Sequence, residues 1–211
     1  MPGTRTRGLL ALGGIAVAAV LTLIGHLEVN DDLSPWSLTV SDFAVSDRGG
    51  VIDVAMAVLA AATAALIPVL RRLGAGRPAA ALLGAWTAGL VVAALVPTNE
   101  PGAPLDAAAY LHRYASVVAF LALPLAGWLL ARHRGRAAPW LRALALTSLA
   151  LAAAMVWSAY PGHRVLIGLA ERLLILTEVG LLAVVAASLV RRPDGAAVTP
   201  VRGASTGGRP R

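Results

Sequence analysis

The sequence predicts an all-α membrane protein, a bundle of six transmembrane helices, and three observations carry that prediction. Apolar residues make up 58% of the chain and charged residues 14%, with a mean hydropathy of +0.74, beyond the range of a soluble domain. The apolar residues fall into six runs of 18 to 24 residues, each long enough to cross the hydrocarbon core as a helix. Between the runs, short arginine clusters alternate with acidic loops. The chain of 211 residues is enough for one compact unit.

Residues 1–7 are a short basic N-terminus with Arg5 and Arg7. The first run, residues 8–27, ends in Ile24-Gly25-His26-Leu27-Glu28, a poor small-residue cleavage site, so it reads as a retained first span and not a signal peptide. Residues 28–48 read as a polar, acidic loop holding Glu28, Asp31, Asp32, Asp42 and Asp47. The second span, 49–70, is interrupted only by Asp53, and Arg71, Arg72 and Arg77 make a basic turn. The third span covers 79–96. Pro97, Pro101, Gly102 and Pro104 then turn the chain, because proline and glycine fix or free the backbone and do not continue a helix. The fourth span, 110–131, leads into a second basic turn with Arg132, His133, Arg134 and Arg136. Residues 140–158 and 167–190 complete the set, and the Gly-, Pro- and Arg-rich tail of 191–211 is expected to be disordered.

Six spans place both termini on one side. That side holds fourteen of the eighteen arginines, and the positive-inside rule makes it cytoplasmic; ten of the eleven acidic residues lie elsewhere. Trp157, Tyr160, Tyr110 and Tyr114 fall near the outer boundary, Trp128 and Trp140 near the inner. The expected location is the cell membrane, as a multi-pass protein. The net charge of +7 is spread over turns and not gathered on one face, which argues against nucleic acid as a partner. No cysteine is present, which excludes disulfides and thiolate chemistry. The turns RRLGAGRPA and ARHRGRAAP are alike only as far as the topology requires.

Polar side chains inside a bilayer are costly and need a partner or a purpose. Here they gather in the outer half: His26, Asp53, His112, Arg113, Ser116, Glu171, Arg172 and Glu178, with Thr98 and Asn99 at the rim. Glu178 lies roughly 16 Å down the last span, near mid-membrane. Glu171 and Glu178 share a helix face, as do His112 and Ser116, whereas Arg172 points about 100° away from Glu171. Arg172 keeps its charge when desolvated and presents a planar fork suited to carboxylate or phosphate. Asp53 and His112 are its expected neighbours. Asp53, His112, Ser116, Glu171, Arg172 and Glu178 therefore line the candidate pocket.

His26, His112 and His163 show no metal-ligand spacing, so neither metal nor cofactor is expected. Ser41 and Ser116 lack the G-x-S-x-G setting of a nucleophile elbow.

The stretches SLTVSDFAVSDRGGVIDVAM, LVPTNEPGAPLDAAAYLHRYASVVAFLALPLAGWLLA and IGLAERLLILTEVGLLAVV resemble domain-of-unknown-function family 998 (DUF998), six-helix bacterial membrane proteins. The likeness spans nearly the whole chain and rests on Ser41, Asp42, Pro97, Thr98, His112 and Arg172. It departs at Asn99, Arg113 and Glu171, where the family more often has Asp, a small residue and Gln. The resemblance implies the fold and no particular reaction. The leading reading is an outward-facing polar pocket that binds or moves a lipid or small apolar molecule, with membrane lipids as partners. One alternative is a membrane enzyme acting on a lipid-like substrate at the outer leaflet. Another is a structural protein whose buried charges only fix helix packing. Transporters break helices near the midplane, whereas Pro68 and Pro124 lie toward the inner ends.

Overall fold

The computed structural model describes residues 3–27, 33–46 and 50–191, and among these every regular element is helical. The helices are α1 (Thr4–Leu27), α2 (Val40–Ser46), α3 (Val51–Arg72), α4 (Arg77–Leu95), α5 (Ala107–Ala131), α6 (Ala138–Ala159) and α7 (Ile167–Val190), with a 3-10 turn at Gly135–Ala137 before α6. All but α2 are long and apolar enough to cross a membrane.

Local chemistry sets the ends. Gly50 leads into α3 at φ 71°, in the left-handed region that glycine adopts without strain, and α4 and α6 each carry a proline in the first turn. Asp106 caps α5, its carboxylate accepting from the Ala109 amide at 2.9 Å. That amide, with the side chain of Asn99, holds the Asp106 carboxyl below the ordinary carboxylate range. Pro68 and Pro124 sit inside α3 and α5 without ending them.

The six long helices form a closed ring in which chain neighbours are spatial neighbours and α1 closes against α7. Helix α5 also reaches α7 across the ring, dividing the interior into a larger compartment (α1, α3, α4, α5, α7) and a smaller one (α5, α6, α7). At the end carrying the arginine clusters, the ring is packed solid by Leu66, Leu70, Leu83, Leu123, Leu130, Leu141, Leu181 and Leu189 among others. Small residues permit that closeness: a methyl on Gly127 of α5 would overlap the Leu181 side chain of α7.

At the opposite end the chain adds structure to what was expected as a polar, acidic loop. Residues 33–46 fold over the ring as a lid containing α2, with Val40, Asp42 and Phe43 buried. Val40 and Phe43 pack on Ile52 of α3, together with Leu33, Leu38 and Ile175. The other acidic residues assigned to that loop, Glu28, Asp31, Asp32 and Asp47, lie outside the described residues, as does the tail beyond Arg191.

Candidate functional site

The lid begins with a reciprocal cap. Thr39 Oγ1 accepts from the Asp42 amide at 3.2 Å, and Asp42 Oδ2 accepts from the Thr39 amide at 2.8 Å, so T-V-S-D is a capping box that starts α2. Asp42 Oδ2 also pairs with Arg164 Nη2 at 3.1 Å, tying the lid to the α6–α7 connection. The buried carboxylate of Glu171 accepts from the Val40 amide, and the Gly168 amide donates to Trp36 O at 3.0 Å.

Arg172 is the main fastening. Its Nη1 lies 2.8 Å from the carbonyl oxygens of Pro35 and Leu38 and 3.0 Å from that of Gly168, and its Nη2 lies 3.1 Å from His26 Nε2. Its guanidinium also sits 4.7 Å from the centre of the Phe43 ring, which stacks on His26. The tautomer of His26 follows from its partners. The Thr22 carbonyl, 2.8 Å from Nδ1, can only accept, and the guanidinium can only donate. His26 is therefore the neutral Nδ1–H form with a bare Nε2.

The same reasoning applies to His112, which is 4% exposed. Its Nδ1 donates to the Val96 carbonyl at 2.7 Å, at the end of α4 where backbone acceptors have run out of helical partners. Its Nε2 faces Ser41 Oγ on the lid at 2.9 Å. With Nδ1 held as the donor, neutral His112 accepts the serine hydroxyl proton at Nε2.

Two cavities lie beneath the lid. One of about 500 Å³ occupies the larger compartment, among residues such as Ile15, Leu59, Leu90, Phe120 and Val179. The other, about 460 Å³, occupies the smaller compartment, among Leu149, Ala152, Val156 and Leu174, with Asp42, Arg113 and Arg164 at its polar end. Ser41, Ser116, Phe120 and Glu171 line both, so the cavities adjoin there.

Residues 11–188 match the family described as "Protein of unknown function (DUF998)". The chain belongs to that family. Neither the curated proteins nor the solved structures provide a match.

Most of the anticipated site residues of this DUF998 protein meet under the lid. His112, Ser116, Glu171, Arg172 and Glu178 each line at least one cavity, and the motif residues Ser41, Asp42 and Thr98 join them. Asp53 does not. It sits in the first turn of α3, close to Gly50, and lines neither cavity. The expected grouping of Arg172 with Asp53 and His112 is thus corrected: its partners are His26 and three backbone carbonyls. The reason is geometric, since the lid folds over the end of α7 and presents its carbonyls where a second helix was expected. Pro97 follows Val96 in the turn that supplies the His112 acceptor. Glu178 lies buried at the base of the larger cavity, its Oε2 accepting from Trp86 Nε1 at 3.2 Å.

Sequence reasoning missed the capping box, although T-V-S-D followed by apolar residues is its signature. It also missed the roles of Arg164 and the Val96 carbonyl, which no spacing rule reveals because both depend on tertiary placement.

Proposed function

We propose that this membrane protein binds a lipid or small apolar molecule in the cavities beneath its lid, with the lid facing outward and both termini cytoplasmic. The carrying observation is the pair of adjoining cavities, about 500 and 460 Å³, with apolar walls and their polar groups collected at the lid end. Volumes of this order suit a small ligand that is mostly buried and held by a few polar groups. An amphipathic molecule matches that division, its apolar part among Leu59, Leu90, Leu149 and Val156 and its polar part toward Arg113 and Arg164. The arginine clusters support the orientation, because they lie at the end opposite the lid.

The purely structural reading asks buried ion pairs to fix the helices. It is less well supported, since Arg172 is engaged by carbonyls and a neutral histidine, and Glu178 by an indole. The test is native mass spectrometry of the purified full chain. A stoichiometric co-bound lipid-class species is expected. Filling the cavities (Ala55→Leu with Ala93→Leu in the larger, Ala152→Phe in the smaller) should remove it while thermal stability is kept. Absence of any bound species from the wild type, or its retention in both filled variants, would refute the reading.

A further inference from the structure

We propose that Ser41 and His112 form a nucleophile–base pair that cleaves an acyl ester of a lipid-like molecule lying in the α5–α6–α7 cavity; this rests on the binding reading above. Three observations carry it. Ser41 Oγ and His112 Nε2 are 2.9 Å apart, within the reach that proton transfer requires. The Val96 carbonyl on Nδ1 holds the ring in the one neutral tautomer that can take a proton from serine. Both side chains stand on the wall of an open cavity, and Ser41 also borders the larger one, so a substrate carbonyl has room beside Oγ.

A hydrogen bond that only latched the lid to α5 would serve equally with serine as donor or acceptor. It would not need a fixed tautomer or an adjoining cavity of about 460 Å³. The surroundings also select the substrate. Leu149, Ala152, Val156 and Leu174 provide an apolar wall for an acyl chain, and Arg113 provides a cation at the polar end beside the Asp42–Arg164 pair. An ester linking an aliphatic acyl group to an anionic headgroup matches that wall. Asp42, adjacent to the nucleophile, fixes it through the α2 cap and the pair with Arg164, and is a positioning residue.

The reaction balances with water alone. Ser41 Oγ bonds to the acyl carbon as its proton passes to His112 Nε2. The ester C–O bond then breaks, and the departing alcohol leaves with that proton. Water next attacks the acyl-serine, giving its proton to His112, and the Oγ–C bond breaks with the proton returned to Ser41. The product pair is a carboxylic acid and an alcohol. A backbone carbonyl fixes the tautomer but stabilises the imidazolium less than a carboxylate would, so turnover is slow and the acyl-serine step is the one to measure.

The experiment uses the full chain in lipid nanodiscs and an alkyl fluorophosphonate, which phosphonylates an activated serine with loss of fluoride. One adduct, mapped to Ser41 by peptide mass spectrometry, is expected, and His112→Gln should slow its formation roughly 100-fold. Native mass spectra of the same wild-type sample report bound lipid independently. Bound lipid with no Ser41 adduct, or an adduct on another serine, overturns the esterase inference and leaves the binding reading intact. Absence of both removes both. Should His112→Gln fail to fold, Ser41→Cys provides the only thiol in the chain. Beside His112 it should alkylate at least about 10-fold faster at neutral pH than the thiol of Ser116→Cys in the same cavity. Equal rates overturn the pair.

Discussion

At the scale of single residues, partner chemistry decides what each buried polar group can do. Glu178 is the deepest ionisable residue on the cavity wall, 3% exposed, and receives its hydrogen bond from the neutral indole of Trp86 while its Oε1 has no partner. Exchanging the carboxyl group for an amide should therefore matter little to folding. In Glu178→Gln the amide oxygen replaces Oε2 as the acceptor, and the expected cost is about 1 kcal/mol or less. A buried ion pair broken by the same change would cost about 3–5 kcal/mol. Thermal melts of wild type and Glu178→Gln in one detergent separate the two cases, and a loss on the larger scale would mean that a cation had been stranded.

At the scale of an element, α2 is seven residues long and holds its place through its cap and its fastenings. A helix this short is not stable alone in water. The Thr39–Asp42 cap satisfies amides at its start, Glu171 satisfies another, and Arg172 holds the preceding turn by its carbonyls. Thr39→Ala should weaken the cap by about 1 kcal/mol, speeding amide hydrogen exchange across 39–46 several-fold while α5 and α7 keep their protection. Gly168 is the second point of sensitivity, because a methyl there would overlap the carbonyls of Leu38 and Pro35. Gly168→Ala should therefore accelerate exchange in the lid more than Thr39→Ala does. Unchanged lid exchange in both variants would show that the lid is held by other contacts.

At the scale of the whole molecule, charge and packing divide the bundle the same way. One end carries the arginine clusters and a solid apolar core; the other carries the lid, the cavities and the buried Asp42, His112 and Glu171. With the arginine end cytoplasmic, single cysteines at exposed Ser34 and Ala103 should react with an impermeant thiol reagent on intact cells. Cysteines at exposed Gly76 and His133 should react only after lysis. Because the chain has no native cysteine, each label reports one site, and the reverse pattern would invert the proposed orientation.

What the sequence determined by itself is the class and the segmentation. Six long apolar runs separated by prolines, glycines and arginine clusters have few solutions in a bilayer, since helices satisfy every backbone hydrogen bond within the segment. The concentration of His112, Ser116, Glu171 and Glu178 toward one end was legible as well, because linear position along a span sets depth. Which side chains meet across the ring was not. Pairing of Ser41 with His112, and of Arg172 with His26, joins residues 71 and 146 positions apart, and helical periodicity is silent about rotation between neighbouring helices. The lid was missed for a related reason: residues 33–46 are too short and too mixed to register as an apolar run. The burial of Val40, Asp42 and Phe43 comes with carbonyls and the Phe43 ring docking on a half-buried arginine. Only the tertiary structure supplies that arginine at the right height, through the closure of α7 against α1.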